Sequence, residues 1–165
     1  MLSLTPIRRV VTGNDAQSRS KVVWDGPAPM VRASASSHFE PPSAVLDGLA
    51  PSNSADRSIP RFVWPQGEGG MWIEYRYSEP RTIGSAEVYW AADAEGRGCA
   101  LPSSWRLEWW DGSAWKSVEG TAAYPTEKDK FNRVSFTPVH TMAIRLQATA
   151  QGRQPAGILE WRVGE

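Results

Sequence analysis

The chain is poor in several things at once. It has one cysteine, Cys99, and two histidines, His38 and His140, in 165 residues. A single cysteine forms no internal disulfide, and a lone Cys is expected to act as a small buried hydrophobe rather than a nucleophile. So few His and Cys leave little material for a His/Cys zinc site. Net charge is also missing: 18 Lys plus Arg balance 18 Asp plus Glu. A general nucleic-acid binder needs excess positive charge to displace counterions from phosphates, so no nucleic acid is expected as partner. The balance gives no reason to expect an anionic membrane surface either. No apolar run approaches the roughly 20 residues of a membrane span. The opening residues, Met1 to Val11, lack the apolar core and small-residue cleavage site of a signal peptide. The expectation is a cytoplasmic protein, or one piece of a longer exported, extracytoplasmic one.

Two further absences concern fold and chemistry. No stretch of 11 or more residues keeps the i, i+3, i+4 apolar spacing of an amphipathic helix. There is no G-x-S-x-G, H-E-x-x-H, P-loop or G-x-G-x-x-G. A paired-carboxylate glycosidase needs two carboxyls in one cleft, whereas the carboxylates here fall mostly in turns or on outward strand faces. A non-catalytic protein is therefore expected.

What the chain does have is tryptophan, nine residues of it, with 13 Pro and 14 Gly punctuating short segments. Trp fills β-protein cores and also makes flat platforms for sugar rings; most of the nine are expected to be structural. The segments alternate with period two, the strand signature. Ile73, Tyr75 and Tyr77 share one face of 71–77, opposite Trp72, Glu74 and Arg76. Ala86, Val88 and Trp90 share one face of 85–90. Trp105, Leu107 and Trp109 point inward from 105–110, with Arg106, Glu108 and Trp110 outward. Asp111-Gly112 makes a turn, and the chain returns through 115–118. Further strands are expected at 133–136, 142–148 and 158–163. The predicted core is Ile73, Tyr75, Val88, Leu107, Trp109, Phe136, Ile144 and Leu146. Many short strands without intervening helices define an all-β sandwich or barrel. Residues 1–30 read as an N-terminal extension in which 7–11 and 21–24 are candidate strands of a hairpin, and 31–165 as the domain proper.

Six segments in fixed order then carry a family resemblance. They are Ala33–Ser37, Ala44-Val45-Leu46-Asp47-Gly48, Met71–Tyr75, Pro102–Glu108 before the Asp-Gly hairpin, Asn132–Pro138 leading to Ala143–Leu146, and Gly157–Val163. Together, over about residues 31–165, they resemble discoidin-like domains, also called coagulation factor 5/8 type C domains. Ser58–Pro65, Val88-Tyr89-Trp90 and Gly157–Trp161 are similar to accessory domains of bacterial glycoside hydrolases, including β-L-arabinofuranosidase-type enzymes. The resemblance implies a discoidin-like jelly-roll β-sandwich, a structural calcium ion, and sugar binding by loops at one end. It also implies a catalytic glycoside hydrolase domain as partner, and the module itself is expected to be a monomer. Two other classes stay open: a packing domain of a larger enzyme with no ligand of its own, and a protein or phospholipid adhesion module.

Candidate metal residues are Asp47 in its turn, Asn53 in the polar run that follows, and Glu160, a carboxylate interrupting an apolar strand. Calcium takes carboxylate and carbonyl oxygens, and in the family the aspartate of this loop meets the closing-strand glutamate at the metal. The alternative is that Asp47 caps its turn and Glu160 pairs with Arg57 or Arg61. Leu49 stands where the family usually has a second acidic residue. Candidate sugar-binding residues are His38, Phe39, Arg61, Trp64, Asp93 and Arg97, which are expected in loops, where a His, an Arg and an aromatic serve this purpose in family members. His38 and Arg61 would donate to ring hydroxyls, Asp93 would accept, and Phe39 or Trp64 would stack. Against these stand a merely backbone-bonded His38 and a core Trp64. Tyr124, Lys128 and Lys130 are further loop candidates.

Overall fold

The computed structural model of the chain describes residues 8–14, 20–27, 31–65, 70–93 and 98–165. The chain divides into two compact units, 1–30 and 31–165. In the first, β1 (Arg8–Asn14) and β2 (Ser20–Pro27) pair antiparallel from Arg8↔Pro27 to Asn14↔Ser20.

The second unit is an all-β sandwich. Among its described residues the one helical element is a 3-10 turn, Pro42–Leu46. Its strands are β3 (Val31–Ala35), β4 (Phe62–Trp64), β5 (Met71–Ala91), β6 (Ser104–Trp110), β7 (Trp115–Ser117), β8 (Phe131–Thr149) and β9 (Ala156–Gly164). β5 and β8 are much longer than the alternation implied, because each bends and serves both layers. The first part of β5 pairs β3 and the last part of β8, with Tyr75 opposite both Ala33 and Ile144. The second part of β5 pairs β9 and the first part of β8, with Val88 opposite Trp161 and Asn132. The register shifts between Arg76 and Arg81 and again after Ile83, at the bend. One layer is thus β3–β5–β8–β6–β7, and the other is β4–β9–β5–β8.

The core lies between the layers, as the period-two phase requires. Ile73, Tyr75, Val88, Leu107, Phe136, Ile144 and Leu146 are buried as expected. Tyr75 stacks on Trp161 across the layers at 4.1 Å, and Trp90 meets Trp105 edge-on at 5.7 Å. Trp109 is the exception: it packs against the core but stays half-buried. It occupies the last rung of the β6–β8 ladder, opposite Ile144, where β8 turns toward the other layer. Outward phase does not mean exposure either. Glu74 is buried beneath Arg145, whose Nη2 lies 2.6 Å from Oε2 and whose guanidinium is held between Trp72 at 4.3 Å and Trp115 at 4.0 Å. A smaller apolar cluster of Val63, Tyr89, Ala91, Cys99 and Leu159 covers the far side of the second layer.

Candidate functional site

The His38 loop begins where β3 ends. Ser36 and Trp72 exchange hydrogen bonds, Ser36 N to Trp72 O at 3.0 Å and Trp72 N to Ser36 Oγ at 3.1 Å. The chain then crosses to the β4 edge, where the Phe39 amide donates to Val63 O at 3.1 Å. This leaves Phe39 73% exposed, with its ring in solvent, and sets the exposed His38 ring 6.1 Å from that of Phe62. Arg61 immediately precedes β4, so the strand that receives the loop also delivers the guanidinium.

Asp93 arrives from the end of β5. Its amide donates to Cys99 O at 3.1 Å, and Cys99 N returns a bond to Asp93 Oδ1 at 2.7 Å. Gly98 makes this closure possible, because any Cβ there would strike the Asp93 carbonyl. The other carboxylate oxygen, Oδ2, accepts from Arg61 Nη1 at 2.9 Å and from Arg57 Nη2 at 2.6 Å and Nε at 3.0 Å. Burial alone would raise the Asp93 pKa; the Cys99 amide and the two arginines outweigh it and hold the carboxyl below its ordinary range. On Arg61 burial opposes the charge, and Asp93 with the nearby Glu40 outweighs it.

These contacts seat His38 and Phe39 against β4 and join Asp93 to Arg61 at the start of the same strand, and they revise the expected roles. Asp93 has both oxygens engaged, so it is the anchor of two arginines rather than an acceptor for a ligand. Trp64 cannot stack on a ligand: it is fully buried against Phe62, with its indole N–H on Trp72 O at 3.1 Å. Phe39 is the exposed aromatic. Arg97 lies outside the described residues. Arg57 was expected, if anywhere, beside Glu160; its place in the same loop as Arg61 was the signal for its role here. Glu40 had no distinguishing signal. Tyr124 is held in the β6 region, with its hydroxyl accepting from Leu107 N at 3.2 Å and its ring on Trp105. Lys130 pairs with Glu127.

Glu160 is a second unusual group. It is buried, its Oε2 has no hydrogen-bond partner among the described residues, and Oε1 accepts from Arg162 Nε at 3.3 Å. The pairing with Arg57 or Arg61 does not occur, since both are committed to Asp93. Burial, reinforced by the charge of Asp47, pushes the Glu160 carboxyl up to about 7 against Arg162 and the Gly48 amide. Asp47 caps its own turn, accepting from Leu49 N at 2.8 Å. An orphaned buried carboxylate oxygen that feels the charge of Asp47 is the kind of group a hard cation takes. Asn53 is not brought to this place by any contact: its side chain caps Ala55 N at 2.8 Å and bonds Ser52. Among the described residues no group of three or more His, Cys, Asp or Glu converges, so backbone carbonyls and water would complete any shell around Asp47 and Glu160.

No family model matches the chain. Solved structures do share its architecture. A chain from Streptococcus pneumoniae β-galactosidase matches with a TM-score of 0.69 at 20% identity, over 84% of this chain and 92% of its own. A chitosan-binding module of a Paenibacillus chitosanase/glucanase matches at 0.61 and 20%, over 81% and 94%. The family 32 carbohydrate-binding module of Clostridium perfringens NanJ, solved with galactose, matches at 0.61 and 16%, over 81% and 92%. The fold is therefore the discoidin-like β-sandwich shared by these modules.

Proposed function

We propose that the chain is a non-catalytic carbohydrate-binding module that serves as an accessory domain of a glycoside hydrolase and acts as a monomer. The observation that carries this reading is the cluster around β4: an exposed Phe39 ring beside His38, with Arg61 and Arg57 fixed by a nearly buried Asp93. A sugar offers an apolar face and a rim of hydroxyls, and this set offers a stacking face and oriented donors. Several structures of like fold are carbohydrate-binding modules solved with sugars, galactose in one and chitotriose in another, which supports the same reading. A structural calcium ion held by Asp47 and Glu160 belongs to the proposal, because it would give Glu160 Oε2 the partner it lacks.

A glycan-array screen of the full chain, followed by calorimetric titration of the best glycan, tests the reading. His38→Ala, Phe39→Ala and Arg61→Ala should each weaken binding about fivefold or more, roughly the worth of one lost contact. If all three bind as the parent does while remaining folded, the site is elsewhere. If no glycan binds at all, a packing role in a larger enzyme takes its place.

A further inference from the structure

At the other end of the first layer is a cleft of about 400 Å³ floored by Trp109 and Val139 and walled by Asp111, Lys116, Glu119 and Thr137. Its distance from the His38 loop follows from register. β6 starts at Ser104, opposite Thr149, and Met71 pairs the neighbouring Ala148, so this is the end where β3 runs into His38. Trp109 lies five residues further along β6, roughly 17 Å away at strand rise, and the hairpin tip lies beyond it.

We propose that this cleft is a second carbohydrate subsite, taking one neutral hexose ring. The cleft lies beside the bend, where Val139 pairs Ile83, and it is lined by the one half-buried member, Trp109, of the inward-facing row Trp105, Leu107 and Trp109. Its volume is that of a small-ligand pocket, which runs from roughly 300 Å³ upward. The lining selects the ligand class. The Asp111 Oδ1 atom is occupied by the hairpin, accepting from Ser113 and Ala114 amides at 2.8 Å, whereas Oδ2 faces Lys116 Nζ at 3.8 Å. Glu119 is exposed, and its carbonyl accepts the Thr137 amide at 2.8 Å, which ties the two cleft walls together. The lining thus offers carboxylate acceptors, an ammonium donor and a hydroxyl together with an indole. A neutral polyol satisfies both kinds of group. An anion would meet two carboxylates against one ammonium, and an apolar side chain would leave the polar rim without partners.

The test is a titration of the ¹⁵N-labelled full chain with methyl β-galactoside, methyl β-glucoside and N-acetylglucosamine, with glucuronate as the anionic control. The Trp109 indole N–H and the Thr137 amide report the cleft; the Phe39 and Val63 amides report the loop end, so the two sites fail separately. At least one neutral sugar should shift the cleft signals saturably at millimolar concentration, and His38→Ala should leave that shift intact. Trp109→Ala should abolish it. Lys116→Ala and Glu119→Ala, both at exposed positions, should each weaken it about fivefold, the worth of a hydrogen bond. Cleft signals unmoved by every neutral sugar, moved by glucuronate alone, or moved in both exposed variants as strongly as in the parent would overturn the proposal.

Discussion

Phe39 and Trp64 are both aromatic and both near the His38 loop, yet they answer to different forces. Trp64 is fully enclosed, so Trp64→Ala should cost about 3–5 kcal/mol of stability. Phe39 touches solvent over most of its surface, and Phe39→Ala should change stability by less than about 0.5 kcal/mol while reducing glycan affinity. Denaturant melts of the two variants beside a glycan titration separate these outcomes. Asp93 makes a related point through pH. Its pKa is depressed in the folded state, so its contribution is present above the ordinary carboxylate range and is lost as pH falls through the depressed value. Asp93→Asn should therefore lower the melting temperature at pH 7 and flatten its decline in acid. A variant whose acid decline matches the parent's would remove Asp93 as the anchor of Arg57 and Arg61.

At the scale of the element, β4 is the part on which the site depends. It is three residues long, buried throughout, and among the described strands pairs only β9, with Val63 opposite Gly157. A Cβ at Gly157 would lie 3.0 Å from Phe62 O and 2.9 Å from Cys99 Sγ. Gly157→Ala should thus cost about 1–3 kcal/mol, the usual penalty of overpacking. It should also weaken glycan binding, because the displaced strand carries Arg61; melts and titration of the same variant check both. Strand phase was legible in the sequence because side chains alternate strictly, and so the inward set from Ile73 to Leu146 came through. Coverage was not legible. Alternation says which side Trp109 or Glu74 faces, but not that the one stays half-buried or that Arg145 roofs the other. The site was half legible for the same reason: His38, Phe39 and Arg61 could be placed in loops, but the engagement of both Asp93 oxygens depends on Cys99 and Arg57, which only tertiary structure brings near.

For the whole molecule, the proposed calcium has a thermal signature. A ligand that binds only the folded state at 100 times its dissociation constant stabilises by about 2.7 kcal/mol, worth roughly 5–10 °C in a domain of this size. Chelator should lower the melting temperature by that order, and in Glu160→Gln the difference between calcium and chelator should vanish. An identical melt with and without calcium in the parent would leave Glu160 as a buried carboxyl without a metal.

The bend shared by β5 and β8 reaches further than the cleft beside it. Since each of these strands supplies hydrogen bonds to both layers, neither layer can open without dragging the other. The sandwich is therefore expected to unfold globally as one cooperative unit, as single domains of this size usually do. A glycan held at the loop end should therefore slow exchange at hairpin amides that open only with the whole sandwich, which hydrogen exchange with and without the glycan measures. Protection at a distance would then be a consequence of two strands shared between the layers.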